Sequence, residues 1–253
     1  MKRLILVTND DGITANGIEA LIEVAKNFGD VVVVAPNSPQ SAKGHAITIS
    51  QPLRLSKVHI FDGVLSAHDC SGTPVDCVKL AVDQVLHRKP DLCLSGINHG
   101  SNVATNVLYS GTMSAAMEAA MEGVPSIGFS LLNYSSNADM TAAKHFAHKI
   151  VEKVLTKGMA NCNLLNVNIP DLPIDQIKGI KVCKQSEAYW KENYSVRNDP
   201  MGRKYYWLTG ELVDLEQSKL GDVYATNQGY VSVVPIQHDL TAYDDIDRLN
   251  KLW

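Results

Sequence analysis

No Cys-x-x-Cys pair occurs in these 253 residues; the five cysteines (Cys70, Cys77, Cys93, Cys162 and Cys183) are odd in number and scattered. That distribution argues against a zinc site and a disulfide framework, and it fits a reducing compartment. No stretch approaches the roughly 20 apolar residues of a membrane span, and the apolar run after Met1-Lys2-Arg3 is too short for a signal-peptide core. The expected setting is therefore cytoplasmic, without a membrane partner. A net charge of −4 leaves no basic footprint for a nucleic-acid polymer. A G-x-G-x-x-G motif is missing, which argues against a dinucleotide oxidoreductase, and so is a Walker A motif. Internal repeats, low-complexity linkers and a Cys or His nucleophile motif are missing too.

What is present is an ordinary globular composition, 45% hydrophobic and 20% charged, long enough for one large α/β domain or a domain with an appendage. The apolar run Leu4 to Val7 reads as a buried strand, and Thr8-Asn9-Asp10-Asp11-Gly12 follows it directly. Adjacent carboxylates at the carboxyl end of a strand stand where open α/β sheets build their sites. They repel each other, and as hard oxygen ligands they suit Mg²⁺ or Mn²⁺. The alternative, that one of them caps the next helix, stays open on this stretch alone.

Asn16 is the predicted cap of a helix carrying Ile18, Leu21, Ile22 and Ala25, which Gly29 ends. Val31 to Ala35 then reads as a second, doubly covered strand, completing a β-α-β unit. The loop that leaves it, Asn37 to His45, offers the Ser41 hydroxyl to a metal, Lys43 and His45 to an anion, and close backbone approach at Gly44. A solvated surface loop is the alternative. Broken alternation from Ile47 to Ile60, with the turn signal Asp62-Gly63, predicts a β excursion. Ser71-Gly72-Thr73-Pro74 then opens a helix through Val85, its hydroxyls either capping or binding an anion.

Asp91 to Ser95 is a further strand, and Asn98 in the loop behind it is a neutral oxygen ligand for a carboxylate-based site. Ser110-Gly111-Thr112 precedes Met113 to Glu122, a run of strong helix formers, and forms either a phosphate cradle or a simple cap. Strands at Ser126 to Ser130 and Leu164 to Ile169 flank a helix from Ala138 to Leu155. Six of the chain's 3 Trp, 9 Tyr and 4 Phe residues then fall between Tyr189 and Trp207, around the turn Asn198 to Gly202. This predicts a hairpin arm that packs on a partner subunit. A last strand is expected from Tyr230 to Val234, and the polar segment to Trp253 reads as a second exchanged element.

The acidic turn, Ser41-Ala42-Lys43-Gly44-His45, Ser71-Gly72-Thr73-Pro74, Ser95-Gly96-Ile97-Asn98 and Tyr109-Ser110-Gly111-Thr112, taken in order, resemble the SurE family. The resemblance runs over nearly the whole chain, including Gly229 to Ser232 and Asp239-Leu240-Thr241. It implies a Rossmann-like, mostly parallel sheet with helices on both faces, plus a C-terminal β-hairpin extension for oligomerisation. On that pattern residues 1–183 form the catalytic core and 184–253 the arm and extension, in a homodimer or homotetramer. The implied activity is metal-dependent hydrolysis of nucleoside 5′-monophosphates, with 3′-nucleotidase and exopolyphosphatase side activities, through attack by a metal-bound water. One Mg²⁺ or Mn²⁺ per subunit would be held by Asp10, Asp11, Ser41 and Asn98. Asn9 and Ser110-Gly111-Thr112 would hold the phosphate with Gly44 and His45 beside it. Asp10 or Asp11 would orient the water, and His45 would serve as acid for the leaving ribose oxygen. After Asn102, family members commonly continue with Gly and Asp, where this chain has Val103 to Val107; the lost acid bears on base-side contacts and selectivity. The rival class is a non-catalytic, Mg²⁺-dependent phosphate- or nucleotide-binding signalling module. The receiver type would need an acceptor Asp after a later strand, and Asp91 to Ser95 ends without one.

Overall fold

The computed structural model describes residues 2–215 and 218–253. Strand β1 (Leu4–Thr8) runs through α1 (Asn16–Ala25) into β2 (Asp30–Pro36), which pairs with it in parallel. The excursion from Leu53 onward resolves into β3 (Leu55–Val58) and β4 (Ser66–Cys70), an antiparallel pair whose second member extends the sheet beside β2. After α2 (Pro74–Leu80), continued by a π-turn over Ala81–Val85, β5 (Leu92–His99) lies on the other side of β1. Helix α3 (Gly111–Met121) leads to β6 (Ser126–Leu131), and α4 (Thr141–Lys157) to β7 (Leu164–Ile169).

Beyond β7 come β8 (Ile180–Val182), the hairpin β9 (Ala188–Asn198) and β10 (Lys204–Asp214), α5 (Asp222–Asn227), β11 (Val231–Ile236) and α6 (Tyr243–Asn250). Among the described residues the sheet has nine strands in the order β3-β4-β2-β1-β5-β6-β7-β11-β8, and the hairpin forms a separate two-stranded sheet. Strand β11 pairs antiparallel with β7 and parallel with β8, so a segment from late in the chain is built into the main sheet.

The strand period of two sorts β1 between two cores. Ile5 and Val7 pack with Ile18, Leu21 and Ile22 of α1 and with Phe146 and Ile150 of α4. Leu4 and Leu6 pack with Cys77 and Val78 of α2 and Ala115 and Ala119 of α3. Each fully buried aliphatic of this kind contributes roughly 2 kcal/mol of transfer free energy. Small residues let the layers close: a Cβ on Gly17 would stand 1.9 Å from the Ile97 carbonyl oxygen, which is how α1 lies directly against β5.

Two helix starts differ in how they are capped. Ala15, not Asn16, occupies the cap position of α1; Asn16 is already helical, and its amide donates to the Ser136 carbonyl at 2.9 Å. At α2 Thr73 caps as expected, in a reciprocal box with Asp76. Its hydroxyl also donates to the Ala46 carbonyl, and Ser71 Oγ accepts from Arg54 N–H, so both hydroxyls have structural partners. No helix among the described residues is long and apolar enough to cross a membrane.

Candidate active site

Strand order reverses at β1, with β2 on one side and β5 on the other, and the carboxyl ends of these strands open a crevice at that switch point. Asp10 and Asp11 stand there. Asp10 is buried on the side facing α3, where the Thr112 hydroxyl donates to its Oδ1. Gly111 allows this approach, since a Cβ on it would lie 2.7 Å from Asp10 Cβ. The Asp10 carbonyl accepts from Gln40 N–H at 2.7 Å, placing Ser41 next in the chain at the crevice. Asp11 Oδ2 accepts from His99 N–H at 3.2 Å, which brings in the end of β5 with Asn98. The Asn98 amide donates to the Gly100 carbonyl at 2.8 Å, which engages its nitrogen and leaves the amide oxygen to accept. Gly44 N–H donates to the Tyr109 carbonyl at 3.2 Å, joining the loop after β2 to the residue before Ser110. Four segments distant in sequence thus meet around two carboxylates.

Within this junction several predicted groups are already engaged. Ser110 Oγ caps α3 by accepting from Met113 N–H, and the Thr112 hydroxyl is on Asp10. Both hydroxyls serve the protein, which leaves Gly111 N–H and the positive end of α3 for an anion. His45 Nε2 lies 2.8 Å from Glu118 Oε2 on α3. Ser41 is exposed at the rim. Asn98, expected in a loop behind the strand, lies within β5 together with His99, because β5 continues past a register shift after Ser95.

An all-oxygen donor set fits a hard divalent cation, and two features of the pocket support that fit. Burial, then the neighbouring charge of Asp11, pushes Asp10 up to about 6, although hydrogen bonds from Thr112 work in the opposite direction. Burial also raises Asp11, opposed by the His99 N–H. Asn9 donates to the Gly12 carbonyl at 2.8 Å, and its Oδ1 is buried with no partner. A cation beside these groups would relieve both the carboxylate repulsion and the orphaned oxygen. Among the described residues no three His, Cys, Asp or Glu side chains gather at one point, so the neutral oxygens of Ser41 and Asn98 would complete such a set.

Glu118 is the participant that sequence reasoning missed. Read as a helix former, it lies four residues after Ser114 on the covered face of α3. An acid on that face was the available signal.

The family model "Survival protein SurE" matches residues 5–192. The chain belongs to the SurE family. A Christiangramia forsetii relative named 5′-nucleotidase SurE is 57% identical over 250 residues, covering 98% of this chain and 96% of its own. A Flavobacterium psychrophilum relative of the same name is 55% identical over 249 residues, covering 98% and 97%. The crystal structure of a SurE protein from Aquifex aeolicus, 40% identical, superposes with a TM-score of 0.84 over 98% of this chain and 99% of that one. The likeness extends through the hairpin and β11, beyond the region matched by the family model.

Proposed function

We propose that this SurE-family chain is a divalent-metal-dependent phosphatase that hydrolyses nucleoside 5′-monophosphates in the cytoplasm, with one Mg²⁺ or Mn²⁺ per subunit. The nucleotidase class follows from its relatives, two of which carry that activity in their names at more than half identity. The observation that carries the site assignment is the junction in which the loop after β2, the end of β5 and the start of α3 are all tied by hydrogen bonds to Asp10 and Asp11.

Asp10, Asp11, Ser41 and Asn98 hold the cation in this reading. When bound, it supplies positive charge to the phosphate oxygens and acidifies water. The chain's own groups do the rest. Gly111 N–H and the dipole of α3 orient the phosphate, Asn9 adds its amide, and Gly44 lets the backbone pass close to the ester. Asp10 or Asp11 orients the attacking water, and His45 contacts the phosphate or protonates the departing ribose oxygen. Nucleoside 3′-monophosphates and short polyphosphates are secondary substrates.

The segment from residue 184 onward contributes β11 to the sheet, and its remaining exposed parts, the β9–β10 hairpin and α6, assemble a homodimer or homotetramer. The hairpin exposes Tyr194, Tyr206, Trp207 and Leu208, which a partner subunit would cover.

Phosphate release from a panel of 5′- and 3′-nucleoside monophosphates, with Mg²⁺, Mn²⁺ or EDTA, tests the proposal. Release on 5′-monophosphates that EDTA abolishes is expected. Silence with every cation, or release indifferent to EDTA, defeats it.

A further inference from the structure

Glu118 projects from α3 with its side chain only 4% exposed, yet it meets two basic groups from two other elements. Oε2 lies 2.8 Å from His45 Nε2, on the loop after β2, and Oε1 lies 2.5 Å from Lys79 Nζ, in the last turn of α2. The same loop is tied at Gly44 to the Tyr109 carbonyl and at Gln40 to the Asp10 carbonyl. The hydrogen bond from His45, with that from Lys79, holds the Glu118 carboxyl below its usual range against the opposing effect of burial. Glu118 is therefore ionised at neutral pH.

An ionised carboxylate can only accept, so His45 Nε2 must carry its hydrogen. The one ring nitrogen left for a ligand is Nδ1, on a side chain that is 33% exposed.

We propose that Glu118 is a positioning residue: by accepting from Nε2 it fixes the His45 ring so that Nδ1 is the nitrogen offered to the phosphate ester. This rests on the reading of His45 as a site residue. Two protonation states follow. The neutral ring, with Nδ1 bare, accepts a hydrogen from water or a protonated phosphate. The doubly protonated ring donates from Nδ1, and as the phosphorus–oxygen bond breaks that proton passes to the ribose oxygen, returning the ring to its Nε2–H form. Lys79 occupies the other carboxylate oxygen and keeps Glu118 from turning, much as a carboxylate orients the histidine of a hydrolase triad.

Glu118→Gln makes the idea testable, because it has one acceptor oxygen and two amide hydrogens. The Lys79 ammonium, the stronger donor, takes the oxygen. The amide N–H₂ then faces Nε2, which must give up its hydrogen, and the neutral tautomer inverts. Imidazole ¹⁵N correlation spectra of the full-length protein should show Nε2–H for His45 in the parent and Nδ1–H in Glu118→Gln. Turnover on a 5′-monophosphate should fall roughly 10- to 100-fold in kcat, with KM changed by less than about twofold. In a His45→Ala background the same substitution should change kcat by less than about twofold, since its effect passes through the missing ring.

An Nδ1–H tautomer in the parent overturns the proposal. So does an uninverted tautomer in Glu118→Gln, or an equal kcat loss in both backgrounds. Should Glu118→Gln not fold, Lys79→Met leaves the carboxylate in place, and Nε2–H must persist there. Parental turnover by His45→Ala removes Nδ1 from the reaction and also overturns the proposal. Silence of the parent across the nucleotide panel defeats the phosphatase reading instead, and the tautomer pair still decides what Glu118 does.

Discussion

Asp11 differs from Asp10 in what surrounds it. Asp10 is enclosed and bonded to Thr112, whereas Asp11 is half-buried and receives one backbone N–H from His99. If Asp11 is a ligand, as proposed, removing its charge weakens the hold on the cation with little rearrangement of the fold. Asp11→Asn should lower turnover roughly 100-fold and raise the cation concentration needed for half-maximal phosphate release. Near-parental turnover at saturating cation would show that Asp11 is not a ligand. Glu118 gives a second prediction, in folding stability. Its folded carboxyl titrates below its ordinary value of 4.5, so its stabilising contribution is present above that value and disappears as pH falls through the folded value. Urea midpoints measured from pH 7 down to pH 3 should fall further in the parent than in Glu118→Gln. Parallel curves would mean that the contacts of Glu118 with His45 and Lys79 contribute nothing in solution.

Elements with a complete local pattern were legible in the sequence. The β-branched run of β2, the helical spacing of α1 and the Ala-rich α3 each state their conformation within a dozen residues. Strand β4 was harder to recognise because Ser66-Ala67-His68-Asp69-Cys70 contains no apolar run; it becomes a strand by pairing with β2 and β3. The six-residue α5 and the insertion of β11 beside β7 likewise depend on neighbours far away in the chain. The same division holds at the site. Asp10, Asp11 and Asn98 were readable as candidate oxygen ligands after strands, and the structure brings them to one crevice, but the His45–Glu118 contact spans 73 positions and no local pattern encodes it. Asp222, at the start of α5, makes the dependence testable. Fully buried, it accepts from Ala104 and Ser186 N–H, both at 3.0 Å, and from its neighbour Val223 at 2.8 Å. It thereby binds the stretch after β5 to the segment that enters the hairpin. Asp222→Ala leaves these donors without their acceptor and should destabilise the fold by at least about 2 kcal/mol, read as a lowered urea midpoint. A change below about 0.5 kcal/mol would mean that water replaces the carboxylate.

For the whole molecule, the hairpin sets an expectation about assembly. Two strands alone make a marginal sheet in water, and here they carry aromatic side chains that this chain leaves largely uncovered. Replacing residues 189–207 with a short Gly-Ser linker should yield monomers by sedimentation velocity, while the circular dichroism of the nine-stranded core persists. An unchanged sedimentation profile would place the subunit contact elsewhere, with α6 the next segment to remove.

The adjacent acids at the end of β1 carry a further implication, for the lifetime of the protein in a cell. Two carboxylates crowded together beside an unpartnered amide oxygen make a site that the fold would be more stable without, so an Asp10→Asn chain should melt several degrees above the parent when both are held in chelator. In the proposed reading the cation would then act as a folding partner as well as a reagent, through the mass-action stabilisation that any native-state ligand provides. Under divalent-cation starvation the unliganded chain would open more often and be degraded sooner, so its abundance would track cation supply without any dedicated sensor.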